Sequence, residues 1–212
     1  MGNVPESRFV DVNVHGTENL LNLAIQHQIN RFVFTSTTSV YGCSTREKTE
    51  AIWVTESLEP FPEDIYDQTK LKGEALCREA ADQGLSSVVL RMSRCFPEPD
   101  HLMLFYRLYR GVNRRDVAMA HWLAMTAELN QFEIFNISSN PPFKKEDCRA
   151  LLADPWPVIE QAFPGSKAKY DALGWQRPAS IDRVYVVEKA QSLLGYQPQE
   201  NFAELSAKFS SA

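Results

Sequence analysis

Nine glycines are spread so thinly through the 212 residues that the closest two, Gly165 and Gly174, stand nine positions apart. No phosphate loop of the Gly-x-Gly-x-x-Gly or Walker kind fits that spacing. Such loops need neighbouring glycines, so that the backbone can approach a pyrophosphate at a helix N-terminus. Cysteine is also scarce: Cys43, Cys77, Cys95 and Cys148 lie far apart, with no C-x-x-C pair and no histidine at ligand spacing. The dense patterns of zinc sites and disulfide frameworks are excluded. The four read as free thiols in a reducing compartment, the cytoplasm. His15, His27, His101 and His121 share no metal-ligand spacing either. No apolar run approaches the roughly 18 residues that a membrane-spanning helix needs. The net charge is −5 and no basic stripe offsets it, which excludes a nucleic-acid partner or an anionic membrane surface.

What is present is ordinary globular material, 44% apolar and 23% charged. Apolar residues from Phe9 to Gln28 fall on helical spacing. Arg31 to Ser36 is a short β-branched and aromatic run that suits a buried parallel strand. A polar loop through Pro60 and Pro62 leads to a predicted helix from Tyr66 to Ala81. Ser87 to Met92 predicts a second strand, Asp116 to Leu129 a helix capped by Asp116, and Phe132 to Ser138 a third strand. Beyond Pro141 the chain turns mainly helical, ending in Val186–Leu194 and Phe202–Phe209. Helices alternating with short apolar strands predict an α/β fold with parallel strands.

Two segments carry chemistry. Phe34 to Gly42 (FTSTTSVYG) is a hydroxyl-rich turn at a strand end, and Tyr66 and Lys70 lie one helical turn apart on one face. A phenol titrates near 10, too high for a base at neutral pH, and a neighbouring ammonium is expected to lower it. A hydroxyl of the first segment then polarises the substrate oxygen while Tyr66 exchanges its proton. Tyr185 and Lys189 have the same spacing but no hydroxyl-rich partner, so Tyr66 is the expected working tyrosine and Tyr185 is expected to be irrelevant.

Further stretches fix the resemblance. Asn13-Val14-His15-Gly16-Thr17-Glu18-Asn19-Leu20-Leu21 resembles an N-V-x-G-T-x-N-L-L helix, and Thr35–Gly42 resembles an S-S-x-x-V-Y-G strand end. Tyr66–Lys70 resembles a Y-x-x-x-K dyad, followed by Val89-Leu90-Arg91. Arg115–His121 is similar to a D-V-A-x-A-H helix, Phe135-Asn136-Ile137 to Y-N-I, and Lys189–Pro198 to K-A-x-x-x-L-G-y-x-P. These seven stretches stand in the order of the extended short-chain dehydrogenases/reductases, in their NAD-dependent epimerase/dehydratase branch.

The resemblance implies an incomplete Rossmann-like, doubly wound parallel sheet over residues 1–140, with residues 94–112 contributing to a small, mainly helical substrate lobe at 141–212. It implies Thr37, Tyr66 and Lys70 as the catalytic group. NAD or NADP is the implied cofactor, met by Asn13, Thr37, Tyr66, Lys70 and Ser93, and Lys70 would also hold the nicotinamide ribose. Arg94 stands where many relatives carry an asparagine beside the sugar diphosphate, and Arg177 lies near a phosphate-contacting arginine. A nucleotide sugar or related small molecule is the implied substrate. The helices Val10–Gln28 and Tyr66–Ala81 form the dimer bundle in relatives, so a homo-oligomer is expected. Cys95-Phe96-Pro97-Glu98-Pro99 departs from the common N-V-Y-G-P, which leaves the substrate open. In relatives the glycine-rich half of the sheet precedes the position of Asn13. The expectation is therefore an oxidoreductase inactive as this chain alone, or else a non-catalytic binding or scaffold module.

Overall fold

The computed structural model describes residues 4–46 and 49–209. The chain enters through helix α1 (Glu6–Val10), one π-helical turn (Asp11–His15) and helix α2 (Gly16–Gln26), which run on without a break. This is the helix expected at Phe9–Gln28, with the extra residue of the π turn falling around Asn13. Strand β1 (Arg31–Thr37) follows, then a 3₁₀ segment (Thr38–Thr45) and strand β2 (Ile52–Val54). Helix α3 (Ile65–Asp82) is capped by Asp64, whose carboxylate accepts from the Asp67 N–H at 2.9 Å.

Strands β3 (Ser86–Met92) and β4 (Phe132–Ile137) complete a three-stranded parallel sheet of order β1-β3-β4. Phe34 pairs with Val89, and Val89 with Ile134. The sheet is covered on both faces, as parallel sheets require. On one face Leu21, Ala24, Phe34, Cys77, Ala80 and Val89 pack α2 and α3 against it. On the other, Val88, Leu90, Ala120, Phe135 and Ala190 hold helices α5 (Arg114–Thr126) and α9 (Glu188–Leu194). The expected Rossmann-like parallel architecture is therefore present.

Helix α5 does not begin as expected. Its cap is Asn113, which accepts from the Arg115 N–H at 2.8 Å. Asp116 is buried in the first turn, where its carboxylate accepts from the N–H groups of Gln199 (2.8 Å) and Glu200 (3.2 Å). It ties the C-terminal segment to the helix instead of capping it.

A second core joins helices α4 (Asp100–Tyr106), α6 (Cys148–Ala153), α7 (Trp156–Ala162), α8 (Ser166–Ala172) and α10 (Phe202–Ser206) through Phe105, Leu151, Trp156, Ile159, Tyr170 and Phe202. Leu104, Phe105 and Leu108 of the 94–112 segment and Ala51 belong to this core, whereas Val187, Ala190, Leu194 and Tyr196 pack against the sheet. Strand β5 (Arg183–Tyr185) pairs in parallel with β2, Trp53 opposite Val184, and so ties the loop after β1 to the end of this core.

Candidate active site

The parallel strands β1 and β3 aim their carboxyl ends at one opening, the usual place for a ligand in an open α/β sheet. There lies a cavity of about 530 Å³. Thr37, Thr38, Ser39 and Gly42 border it from the end of β1, Tyr66 and Asp67 from the start of α3, and Met92, Ser93 and Arg94 from the end of β3. Arg110, Arg183 and Tyr185 close the far side.

Gly42 makes the sharp turn possible. Its φ is +40°, and a Cβ there would stand 2.2 Å from the Phe61 carbonyl oxygen. The Cys43 N–H donates to that same carbonyl at 2.9 Å, which holds the loop of Phe61 against the turn. Beneath the cavity Glu74 accepts from Arg91 Nη2 at 2.7 Å and from Ser36 Oγ at 2.6 Å, all three residues buried. The Tyr41 hydroxyl donates to Asn136 Oδ1 at 2.8 Å.

Thr37 and Tyr66 are brought to the same cavity, where the Thr37 hydroxyl acts to lower the phenol pKa. Lys70 does not complete the expected electrostatic group. Its ammonium donates to the Thr35 carbonyl at 2.8 Å and lies 4.8 Å from the centre of the Phe34 ring. The Tyr66 phenol is accordingly held above its ordinary range by burial, with Asp67 and Asp64 adding to the rise. The expected lowering by Lys70 is thus overturned, because the i, i+4 spacing puts the two residues on one face but the ammonium reaches back to β1. Burial also lowers the Lys70 pKa.

Asn13 sits in the π turn and donates to Thr69 Oγ1 at 3.0 Å, one residue from Lys70 and behind the cavity wall. Ser93 is buried, its hydroxyl donating to Ser138 Oγ at 3.1 Å. Arg94 pairs with Glu98 through Nε at 2.5 Å. Arg177 is not brought to this cavity: it pairs with Asp171 at 3.5 Å and lies over the Trp156 ring at 5.8 Å. Glu98 and Asp171 are local partners that a sequence pattern does not reveal.

Sequence reasoning did not single out Ser39, Asp67, Arg110 and Arg183, which border the cavity together with Tyr185. Tyr185 is on β5, not on a helix with Lys189, and its ring stacks on Tyr41 at 6.3 Å. Lys189 instead donates to the Ile134 carbonyl at 2.8 Å. Asp67 was legible as an acid in the first turn of α3; Arg183 was not, because β5 is three residues long.

Residues 3–101 match the sequence model described as the NAD dependent epimerase/dehydratase family. That match covers just under half of the chain. Among curated relatives, a dTDP-glucose 4,6-dehydratase of Streptomyces griseus is 36% identical over 228 residues, covering 93% of this chain and 63% of its own length. A UDP-glucose 4-epimerase of Halalkalibacterium halodurans is 25% identical over 90% of this chain and 65% of its own. An uncharacterized UDP-glucose epimerase of Bacillus subtilis is 36% identical over 46% of this chain and 30% of its own. The chain thus spans less than two thirds of the length of these relatives. Among solved structures, a short-chain dehydrogenase/reductase superfamily protein from Agrobacterium tumefaciens with bound NAD aligns with a TM-score of 0.68 at 19% identity, covering 98% of this chain and 75% of that one. A UDP-glucose 4-epimerase from Thermotoga maritima aligns at 0.64 and 21% identity, covering 95% and 69%. At these identities the two structures establish the shared fold.

Proposed function

We propose that this chain carries the substrate-facing part of an NAD(P)-dependent oxidoreductase acting on a nucleotide sugar, as an epimerase, dehydratase or reductase. The observation that carries the proposal is the strand-end cavity that Thr37 and Tyr66 share, with cationic Arg94 at the end of β3 and Arg110 and Arg183 on the far side.

Two of those arginines are engaged, Arg94 by Glu98 and Arg183 by Asp182 at 2.6 Å. Arg110 lies over the Tyr106 ring at 4.9 Å, with no carboxylate partner among the described residues. A diphosphate is the natural complement of a guanidinium in this position. The sugar hydroxyl would then face Tyr66, which takes or returns its proton, beside Thr37. The family cofactor, when bound, accepts or returns the hydride. Lys70 spends one of its three donors on Thr35 and keeps two for a nicotinamide ribose, with Asn13 supporting α3 alongside. Ser93, at the end of β3, would border the nicotinamide. These residues fit the nicotinamide-ribose end of the cofactor; no glycine pair in the 212 residues suits its pyrophosphate.

Calorimetry tests both statements. UDP-glucose or dTDP-glucose should bind the chain, and Arg110→Ala should weaken that binding roughly tenfold or more, the value of a charge-assisted hydrogen bond. NAD(H) should bind the 212 residues more weakly than the order of ten micromolar, because several such bonds to phosphate are missing. Absence of sugar-nucleotide binding would overturn the assignment of the cavity. We further propose self-association through α1, the π turn and α2, where Val12, Leu20 and Leu23 are exposed. A strictly monomeric species in sedimentation would contradict it.

A further inference from the structure

Beside the Tyr66 phenol, a line of hydroxyl groups runs from Thr37 to a carboxylate. The phenol and the Thr37 hydroxyl border one cavity, and that hydroxyl acts to lower the phenol pKa. Thr37 Oγ1 lies 2.9 Å from Ser39 Oγ, and Ser39 Oγ donates to Asp67 Oδ1 at 2.5 Å. We infer that Asp67, acting through Ser39 and Thr37, is the group to which the proton delivered to Tyr66 is passed on.

The inference rests on the proposed function and adds two positioning residues to it, Asp67 and Ser39. Starting α3 explains only part of what Asp67 does. Its Oδ2 accepts from the Glu63 N–H at 3.3 Å, a helix-entry contact, while Oδ1 serves Ser39. Asp67 is only 5% exposed, and burial raises its carboxyl above the usual range, which suits a group that must hold a proton briefly. Lys70 is turned towards Thr35, so the line does not run through the ammonium.

During oxidation of a substrate alcohol the atoms balance as follows. The substrate O–H proton goes to the Tyr66 oxygen, and the Tyr66 proton goes to Thr37. The Thr37 proton goes to Ser39, and the Ser39 proton goes to Asp67. Four O–H bonds break and four form, while the hydride leaves the substrate carbon for an oxidised nicotinamide. The carboxylate charge is neutralised, and Asp67 then releases its proton to water. Reduction runs the same line backwards.

The test needs neither cofactor nor substrate, so it can fail or succeed independently of the proposed function. In the full chain with carbon-13-labelled tyrosine, the Tyr66 ring-carbon resonance bearing the hydroxyl is followed across the acidic range and assigned by its loss in Tyr66→Phe. The charged groups around Asp67 are Glu63 and Asp64 on its own segment and Arg94, Arg110 and Arg183 across the cavity, with Tyr185 as a further titratable group. A carboxyl-titration step is expected at Tyr66, and Asp67→Asn should abolish it, which separates Asp67 from Glu63 and Asp64. Ser39→Ala, which keeps the carboxylate but cuts the line, should abolish it as well. Thr37→Val cuts the line at its other end and serves if Ser39→Ala fails to fold. No step in the unaltered chain, or a step that survives the cut, would overturn the inference, since the coupling would then be absent or purely through space.

Discussion

Lys70 Nζ donates to the Thr35 carbonyl at 2.8 Å, so the lysine of the dyad ties α3 to β1 while its tyrosine faces the cavity. Lys70→Met keeps most of the aliphatic stem and removes that donor. It should cost about 0.5–1.5 kcal/mol of stability, the net contribution of a typical hydrogen bond, since Thr35 is exposed. Because burial lowers the folded-state Lys70 pKa, the folded chain binds fewer protons than the unfolded one between that value and the ordinary lysine range near 10.4. Stability should therefore rise with pH through that window, and Lys70→Met should remove this part of the rise. Denaturant unfolding at several alkaline pH values measures both effects.

Tyr66→Phe should reduce turnover by about 10²–10⁴-fold in an assembly that turns over, the usual range for an acid–base group. Tyr185→Phe should stay within about tenfold, since its ring stacks on Tyr41 in the cavity wall and keeps that packing without the hydroxyl. Parallel rate measurements with circular dichroism as a folding control decide the matter. Equal losses would show that the working tyrosine had been misassigned.

Glu74→Ala should destabilise the chain by about 3–5 kcal/mol, the cost of stranding one partner of a buried ion pair. Arg91 would lose its bonds to Glu74, and its Nη1 already lacks a partner. Replacing both residues with apolar ones should recover much of that loss. Urea unfolding of the single and double variants distinguishes the two outcomes.

Gly42→Ala should cost more than the roughly 1–3 kcal/mol typical of a strained backbone. The new Cβ faces a backbone oxygen at 2.2 Å, as well as an unfavourable φ. A lowered melting temperature together with weakened sugar-nucleotide binding is expected, because the same turn carries Thr37 and Ser39.

The legibility of the fold followed the length of its elements. The six- and seven-residue runs of β1, β3 and β4 are apolar and β-branched, and α2 and α3 each carry a long apolar stripe, so their burial could be read directly. Ile52–Val54 and Arg183–Tyr185 are too short to show a period, and their pairing joins segments distant in sequence. In the site, Thr37 and Tyr66 both border the cavity, whereas the reach of Lys70 to Thr35 and the Ser39–Asp67 bond depend on side-chain directions that spacing alone does not encode.

The parallel pairing of β2 with β5 also sets a timetable. Trp53 waits for Val184, a separation of more than half the chain, before the two strands can join. Contacts of such long range form late, since the entropy of closing the intervening loop is lost before the contact is gained. Arg183 and Tyr185 therefore arrive last at a cavity whose Thr37 and Tyr66 are synthesised early. On the ribosome the chemical end of the pocket can take shape well before the wall that selects what enters it.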